Sequence, residues 1–376
     1  MNLRKIGVWL IMPSFMIAFS SLGCQKDEPA EQPLLTTEQV SGITETSAKS
    51  GGNLTSDGGA KITSRGVVWS QNMYPTIYQN EGITDDGAGK GQFESDITGL
   101  SPRTSYYVRA YATNREGTAY GNMVEFTTNS LAIPGSGVTD IDGNEYNTVI
   151  IGNQEWMAEN LRTTKYADGT EIPFGLSDSE WENTTEGAYS VYPHENVEGI
   201  DSEEQMVNAY GKLYNWYAVD DERGLCPAGW YVSTEYDWNE LLEYLEEEHG
   251  IPNTNTYGGA ANVLKAARQI DHPWGGNHAT YEHPRWANLT FLYYTPYGTD
   301  DFGFSAFPAG SRSEDGSYTY GNIGSVGRWW TSTLDQDDRY EWAIYVAIRY
   351  NRAHVEIDRY YVKRPAYSVR CIRNEE

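Results

Sequence analysis

Hydrophobic and polar residues alternate in short stretches after residue 33. Runs at residues 66–70, 105–111 and 124–127 alternate with a period of two and are separated by Gly, Asp and Asn residues. A period of two places successive side chains on opposite faces of a strand, and short strands between turn residues are typical of a sandwich. We therefore predict an all-β sandwich over residues 34–129.

The pattern changes after a segment at residues 131–137 that contains one Pro and two Gly, which indicates a domain boundary. Over residues 235–249 apolar side chains recur at i, i+3, i+4 and i+7, which predicts an amphipathic helix. These positions are Trp238, Leu241, Leu242 and Leu245. Thr234 and Asp237 approximate a capping box before this helix, and Gly250 ends it.

Two more helices are predicted at residues 203–219, with Met206, Tyr210, Leu213 and Tyr217 inward, and at residues 260–269. Residues 341–348 and 368–372 instead alternate as strands. Helices followed by strands favour an α+β arrangement over a parallel α/β sheet. We expect a second, α+β domain over residues 138–376, and hence a multidomain protein.

The N-terminus reads as an export signal. Arg4 and Lys5 precede an apolar run at residues 6–19, which is the layout of a signal peptide over residues 1–23. The end of this run resembles a bacterial lipoprotein signal in which Cys24 carries the lipid. The acidic residues after it resemble the export signal of Bacteroidota surface lipoproteins. We expect a flexible stalk at residues 24–33 and a lipid-anchored protein on the outer face of the outer membrane; the alternative is a cleaved, secreted protein.

Charge and cysteine content narrow the function further. The chain has 53 acidic residues against 27 Lys and Arg, a formal charge of −26 that repels nucleic-acid phosphates. We therefore expect no nucleic-acid partner. Apart from Cys24, the cysteines are Cys226 and Cys371. An oxidising exterior favours a disulfide between them, with two buried thiols as the alternative.

The aromatic residues suggest a binding surface. The chain holds 29 Tyr and 12 Trp against 9 Phe, and sugars are bound by such rings together with polar groups at the rim. The ring-rich loop at residues 272–303, with a weaker second rim, supplies the predicted glycan-binding residues. They are Trp274, Trp286, Tyr293, Tyr294, Tyr297, Asp301 and Arg312, and in the second rim Trp181 and Tyr192. The alternative is that these rings pack their loops onto the domain. Trp329 and Trp330, on a predicted strand, are expected in the core.

No motif demands a metal, a cofactor or catalysis. His272, His278 and His283 have spacings that match no common zinc site. The segment at residues 140–144 begins like a calcium loop but is explained better by a turn. Asp300 and Asp301, or residues 335–338, leave calcium possible. Nucleotide-binding and hydrolase motifs are lacking in the sequence, so no catalytic residue is predicted.

Two segments resemble known families. Residues 97–114 (ITGLSPRTSYYVRAYATN) resemble the fibronectin type III pattern. The second domain resembles the Fibrobacter succinogenes major paralogous domain through motifs that occur in order. They are DIDGNEY (140–146), IGNQEWMAENL (151–161), YGKLYNWYAV (210–219), LCPAGW (225–230), GFSAFPAG (303–310), WWTST (329–333) and SVRC (368–371).

The second resemblance implies a C-type-lectin-like fold in which a cysteine near a helix pairs with one on the last strand, as Cys226 and Cys371 could. It also implies a role on surface lipoproteins of polysaccharide-degrading bacteria. We therefore expect a non-catalytic protein that captures polysaccharide beside an outer-membrane glycan transporter complex. The alternatives are an adhesin or structural protein that binds a protein or mucus and, third, a glycan-active enzyme.

Overall fold

The computed structural model describes residues 29–256, 258–270, 272, 278–287, 297–317, 323–336, 341–360 and 362–374. These residues form two compact units. The first contains residues 29–40, Ser50–Asp96 and Tyr107–Val124. The second contains Ser41–Lys49, Ile97–Tyr106 and the described residues from Glu125 onward.

The part of the chain before residue 128 is built from strands. They are β1 (Leu34–Thr37), β2 (Ser47–Ser56), β3 (Ser64–Ser70), β4 (Gly82–Ile83), β5 (Gly91–Thr98), β6 (Ser105–Asn114), β7 (Gly117–Tyr120) and β8 (Val124–Thr127). One sheet has the order β1-β2-β5 and the other has the order β4-β3-β6-β7, with β8 also paired to β6.

The two sheets face each other through small and apolar residues. Strands β3 and β6 pair antiparallel over seven residues, and Val67 and Val108 are fully buried. A Cβ at Gly52 would lie 2.7 Å from the Cβ of Ala110 and 2.8 Å from the ring of Phe93, so only glycine fits between the sheets there. The prediction of an all-β sandwich is confirmed.

The second unit combines short helices with mostly antiparallel sheets. Its helices are α1 (Asp178–Asn183), α2 (Glu203–Tyr210), α3 (Trp216–Val219), α4 (Glu235–His249) and α5 (Ala260–Leu264), with a 3₁₀ turn at His194–Asn196. Its strands are β9 (Ile133–Pro134), β10 (Val138–Thr139), β11 (Glu145–Tyr146), β12 (Thr148–Ile151), β13 (Gln154–Met157), β14 (Tyr189–Ser190), β15 (Leu213–Asn215), β16 (Trp230–Val232), β17 (Val326–Gln336), β18 (Glu341–Arg349), β19 (Glu356–Tyr360), β20 (Ala366–Tyr367) and β21 (Cys371–Arg373). The larger sheets have the orders β16-β21-β13-β12-β9, β14-β15-β20 and β17-β18-β19, and β10 pairs with β11.

Helix α4 forms where its apolar spacing predicts it. The Thr234 side chain accepts a hydrogen bond from the Asp237 backbone, and the Asp237 carboxylate accepts one from the Thr234 N–H at 2.7 Å. The helix ends at Gly250, which takes the left-handed conformation at φ 65°. Its inner face places Trp238 edge-on against Trp156, with ring centroids 5.1 Å apart.

The predicted helix over residues 203–219 is wrong beyond its first half. Helix α2 ends at Tyr210 because Gly211 has φ 76°, and a Cβ there would lie 2.7 Å from the Cβ of Asn160. The chain then forms β15, which pairs with β14 and β20, before the single turn of α3. The predicted helix over residues 260–269 is also shorter, because Lys265 is extended and bridges to Ala306.

Strand β17 separates two hydrophobic cores. Trp329 and Trp330 are both fully buried, which confirms that they are core residues. They point to opposite faces of the strand, so Trp329 packs in the core that contains α4 and Trp330 packs in the core that contains Cys226 and Cys371. These cysteines form a disulfide, which excludes the alternative of two free thiols. Among the described residues, no helix combines the length and apolarity needed to cross a membrane.

Candidate functional site

The predicted aromatic rims are largely core in the part of the chain that the structure describes. Trp286, Trp181 and Tyr192 expose 1 %, 0 % and 8 % of their surfaces. The Trp286 indole N–H donates to Ala306 O at 3.1 Å, and that of Trp181 donates to Arg364 O at 2.9 Å. A ring enclosed in this way cannot stack on a sugar face, so the alternative of packing describes these residues. Trp274, Tyr293, Tyr294 and the predicted lipid anchor, Cys24, lie outside the described residues.

The predicted polar groups of the rim are also engaged within the fold. Arg312 is buried, donates from Nε to Gly316 O at 2.8 Å and from Nη2 to Asp178 Oδ1 at 3.0 Å, and stacks over Trp181 at 4.2 Å. This planar, multiply bonded guanidinium is a cross-link between α1 and the loop after residue 310. Asp301 is buried as well, and burial raises the pKa of its carboxyl to about 7.

Tyr297 is the predicted ring that is half-buried rather than enclosed. Its ring meets that of His272 edge-on, with centroids 5.0 Å apart. His272 is buried, and burial lowers the pKa of its imidazole to about 4, so it is neutral at pH 7. This contact packs the start of the loop against its end.

A different face of the second unit holds an exposed ring beside polar groups. We call it the Tyr236 hollow; it has a volume of about 560 Å³. The residues that define it are Asn153, Gln154, Tyr231, Tyr236, Glu240 and Arg373. Tyr236 exposes 72 % of its surface, which is unusual for a large ring and leaves its face open to a ligand.

Local folding explains why these rings stand where they do. Tyr236 lies in the first turn of α4, two residues before Trp238, and thus about 200° around the helix from the buried face. Tyr231 lies on β16, and its hydroxyl donates to Asp237 Oδ1 at 2.9 Å. The antiparallel pairing of β16 with β21 places Arg373 opposite Trp230 and so brings the end of the chain to the same hollow.

Hydrogen bonds fix the polar floor of the Tyr236 hollow. The Gln154 amide nitrogen donates to Asp237 O at 2.9 Å and to Glu240 Oε2 at 3.2 Å, while its oxygen accepts from the Trp156 indole at 3.0 Å. Because the amide nitrogen faces two acceptors and the amide oxygen faces a donor, the fold sets the orientation of this side chain. A floor that is held in place before a ligand arrives loses little side-chain entropy on binding.

An ion pair closes one side of the Tyr236 hollow. Arg373 Nη1 donates to Glu155 Oε2 at 2.7 Å and to Ser136 Oγ at 3.1 Å. Burial opposes ionisation of Glu155, but hydrogen bonds from Arg373, Thr148 and Ser136 outweigh it and lower the pKa of this carboxyl to about 2. The pair therefore stays charged at neutral pH and orients the guanidinium.

The predicted loop borders two further cavities. The first, the Arg268 groove, has a volume of about 560 Å³ and is lined in part by Arg162, Asn208, Arg268 and Pro284. Arg162 Nη1 donates to Glu159 Oε2 at 2.6 Å along its wall. Tyr281, in the same loop, exposes 75 % of its surface and is not among the residues of the groove wall.

The second cavity brings the two predicted rims together. It has a volume of about 410 Å³ and is lined by Tyr192 from one rim and by His283 and Arg285 from the loop. The Tyr210 hydroxyl lies 2.7 Å from His283 Nδ1 and accepts from the Arg285 N–H at 3.2 Å. Tyr192 and Tyr210 are both buried, so neither presents an open ring face in this cavity.

The acidic segments have structural partners. Asp140 accepts from the backbone N–H groups of Asp142 and Asn144, which confirms a turn between β10 and β11. Both Asp300 oxygens accept from Ser305, and Asp335 pairs with Arg359. Asp337 and Asp338 lie outside the described residues. Within the described ranges, no group of three or more His, Cys, Asp or Glu side chains is arranged to hold a metal.

Sequence reasoning missed Tyr236 and Tyr231. The helical pattern of residues 235–249 that predicts the buried face also puts Tyr236 on the polar face. A tyrosine on the solvent side of an amphipathic helix was the available signal. The approach of β16 to β21, which completes the hollow, depends on tertiary pairing that no local pattern contains.

The chain belongs to the Fibrobacter succinogenes major domain family, whose profile matches residues 149–373. The residues that define the Tyr236 hollow all fall within this range, from Asn153 near its start to Arg373 at its last position. A search of curated proteins gives no match.

Solved structures give short matches. The sensor domain of the anti-sigma factor RsgI4 of Pseudobacteroides cellulosolvens is 15 % identical and covers 26 % of this chain and 96 % of that chain, with a TM-score of 0.21. The sixth fibronectin type III domain of human fibronectin type III domain containing protein 3 is 24 % identical over 29 % of this chain and 98 % of that chain, with a TM-score of 0.22. TM-scores this low carry no weight in assigning the fold, which rests on the strand pairing.

Proposed function

We propose that the protein is a non-catalytic glycan-binding lipoprotein, anchored through Cys24 to the outer membrane and facing the exterior. The observation that carries glycan binding is the Tyr236 hollow, where an exposed ring stands beside amide, carboxylate and guanidinium groups. Sugars present apolar C–H faces edged by hydroxyls, so an open ring next to fixed donors and acceptors suits them. In this proposal Tyr236 is the stacking platform.

The architecture we propose around this site has three parts. The second unit is a C-type-lectin-like domain, an assignment supported by family membership and by the disulfide between Cys226 and the last strand. The N-terminal sandwich is a fibronectin type III-like spacer, and residues 24–33 are the stalk. The partners are a polysaccharide or oligosaccharide and an outer-membrane glycan transporter complex. Many anchored copies would give avidity to a weak single site.

The carboxylates of the hollow favour binding over hydrolysis. Asp237 accepts from Tyr231 and from both the N–H and the hydroxyl of Thr234, and Glu240 accepts from Gln154. Glycoside hydrolysis needs one carboxyl as general acid and a second as base or nucleophile, both free to reach the sugar. Here the oxygens of Asp237 are committed to the helix cap and to Tyr231, so this carboxylate is not free to act as an acid, a base or a nucleophile.

Affinity electrophoresis and calorimetry of the purified full chain against a polysaccharide panel, with and without EDTA, test the proposal. Two matched variants locate the site, because Tyr236 and Tyr281 have almost equal exposure, 72 % and 75 %. We expect Tyr236→Ala to weaken binding roughly fivefold or more, as loss of a stacking ring should, and Tyr281→Ala to leave it unchanged. The opposite ranking would move the site to the loop at residues 272–303.

Three other outcomes are decisive. EDTA sensitivity would add calcium to the site. Release of shortened oligosaccharides during incubation would make the protein an enzyme. If no polysaccharide is bound, glycan capture fails, and a protein or mucus adhesin becomes the function to test.

A further inference from the structure

The first unit carries an exposed aromatic surface that a spacer does not need. Four large apolar side chains between residues 73 and 83 stand out from it, and they are Met73 (56 % exposed), Tyr74 (64 %), Tyr78 (89 %) and Ile83 (47 %). We call this the Tyr78 surface, and we define it by these four residues. Single exposed apolar residues are ordinary, whereas exposed apolar residues that cluster are typical of interaction sites.

The loop that carries the Tyr78 surface is held in one conformation. Thr76 and Gln79 exchange backbone hydrogen bonds at 2.9 and 3.1 Å, and the Ile77 N–H donates to the Tyr120 hydroxyl at 3.0 Å. The Asn80 side chain donates to Thr76 O at 2.9 Å. These bonds tie the loop to itself and to β7, so Tyr78 stands on a fixed base.

Tyr74 is held in a backbone conformation that tyrosine rarely adopts. Its φ is 59°, and its N–H points to the Met123 sulfur at 3.2 Å. A bulky residue in the left-handed region is strained, and such strain persists where the position of the side chain matters. In this conformation the Tyr74 ring is 64 % exposed.

The loop that carries the two rings is itself uncharged, and the exposed carboxylate that follows it, Glu81, is engaged by the Gln71 backbone and side chain at 3.1 and 3.4 Å. Residues 71–80 (QNMYPTIYQN) contain no charged side chain in a chain whose formal charge is −26. Gln71, Asn72 and Gln79 are exposed beside the rings, and their amides can both donate and accept hydrogen bonds. Rings that offer apolar faces, edged by uncharged amides, match the alternating C–H and hydroxyl surface of a neutral sugar.

We propose that the Tyr78 surface is a second carbohydrate-binding site, which takes neutral polysaccharide and lies on the unit otherwise assigned as a spacer. The site belongs to the first unit, whereas the Tyr236 hollow belongs to the second. It therefore makes the N-terminal unit a binding module in its own right and does not depend on where the second unit binds.

The test uses the full chain on gels that contain neutral polysaccharides, namely xyloglucan, galactomannan and amylopectin, with polygalacturonate as the acidic comparison. The variant is Tyr74→Ala combined with Tyr78→Ala. Leu34→Ala is the matched control, because Leu34 is exposed to the same degree as Tyr74, at 65 %, and belongs to the same unit. Both Tyr rings lie outside the core, and circular dichroism verifies that the variants fold.

We expect the double variant to lose roughly tenfold in affinity for at least one neutral polymer, the effect of two stacking rings, with Leu34→Ala unchanged and polygalacturonate unbound throughout. The Tyr236→Ala variant should keep the binding of neutral polysaccharide that the double variant loses. Equal retention of the double variant and the wild type overturns the inference while leaving the proposed function intact. Loss of self-association in the double variant, with polysaccharide retention unchanged, would also overturn it, since the surface would then bind a second copy of the chain.

Discussion

Asn160 and Trp329, which are 169 positions apart in the sequence, are joined by a 2.8 Å hydrogen bond from the indole N–H to the amide oxygen. The same oxygen accepts from Arg370 Nε at 3.2 Å, and the amide nitrogen donates to Tyr210 O at 2.9 Å. One buried amide thus connects the loop after β13, the end of α2, β17 and the segment before β21.

We expect Asn160→Ala to be strongly destabilising. The substitution removes the acceptor of two buried donors and the donor to a third group, and each unsatisfied group costs about 1–3 kcal/mol. A loss of about 3 kcal/mol in the free energy of unfolding, measured with urea, is the expected result. Asn153→Ala, at an exposed asparagine, should change it by less than about 0.5 kcal/mol. Equal effects of the two substitutions would contradict the role of Asn160.

The disulfide gives a second prediction. Cys226 and Cys371 close 145 residues of chain, and a link over so long a loop stabilises by about 2–5 kcal/mol, mainly by restricting the unfolded state. The double variant Cys226→Ala, Cys371→Ala should therefore unfold at clearly lower urea concentration. Adding dithiothreitol to the wild type during unfolding should produce the same midpoint. A wild-type midpoint that reductant does not move would show that the bond is not formed in solution.

Substitutions at two glycines distinguish the cost of a strained backbone conformation from the cost of a steric clash. Both Gly211 and Gly143 have positive φ, 76° and 84°, but a Cβ at Gly211 would lie 2.7 Å from the Cβ of Asn160, whereas a Cβ at Gly143 meets nothing within 4 Å. Gly143→Ala should cost about 1 kcal/mol for the left-handed conformation. Gly211→Ala should cost about 3 kcal/mol or more, because overpacking adds to it. Thermal unfolding of both variants checks the difference.

Local patterns predicted the elements whose stability is local. The period of two in the first part, the apolar stripe and capping box of α4, and the turn at Asp140 each depend on a few neighbouring residues, and each is confirmed. The helix predicted over residues 203–219 is interrupted because Gly211 must approach Asn160, a contact between segments 51 residues apart. No periodicity records such a contact.

The candidate site depends on contacts between distant segments even more than the helices and strands do. Composition correctly indicated many tyrosine and tryptophan rings, but it could not say which of them the fold would enclose. Trp286 and Trp181 are held by indole hydrogen bonds to distant carbonyls, so their loops supply core and not surface. The helical pattern puts Tyr236 on the polar face of α4, but only the pairing of β16 with β21 brings Arg373 to the same hollow. Exposure is a property of the tertiary structure.

The ion pair between Glu155 and Arg373 gives a pH-dependent prediction. The pKa of Glu155 is lowered to about 2 from its ordinary value of 4.5. The unfolded chain therefore binds the proton more readily, and the stabilisation is fully present above about pH 4.5 and is lost as the pH falls toward 2.

Glu155→Gln, which keeps the shape but not the charge, should lower the free energy of unfolding by about 1–2 kcal/mol at pH 7. The gap between the two proteins should narrow steadily from pH 5 to pH 3 in urea titrations. As a control, Glu116→Gln removes an exposed carboxylate whose ion-pair partner is its neighbour Arg115, and this variant should follow the wild-type curve at every pH. A gap for Glu155→Gln that stayed constant down to pH 3 would mean that Arg373 does not hold the carboxylate in its charged form.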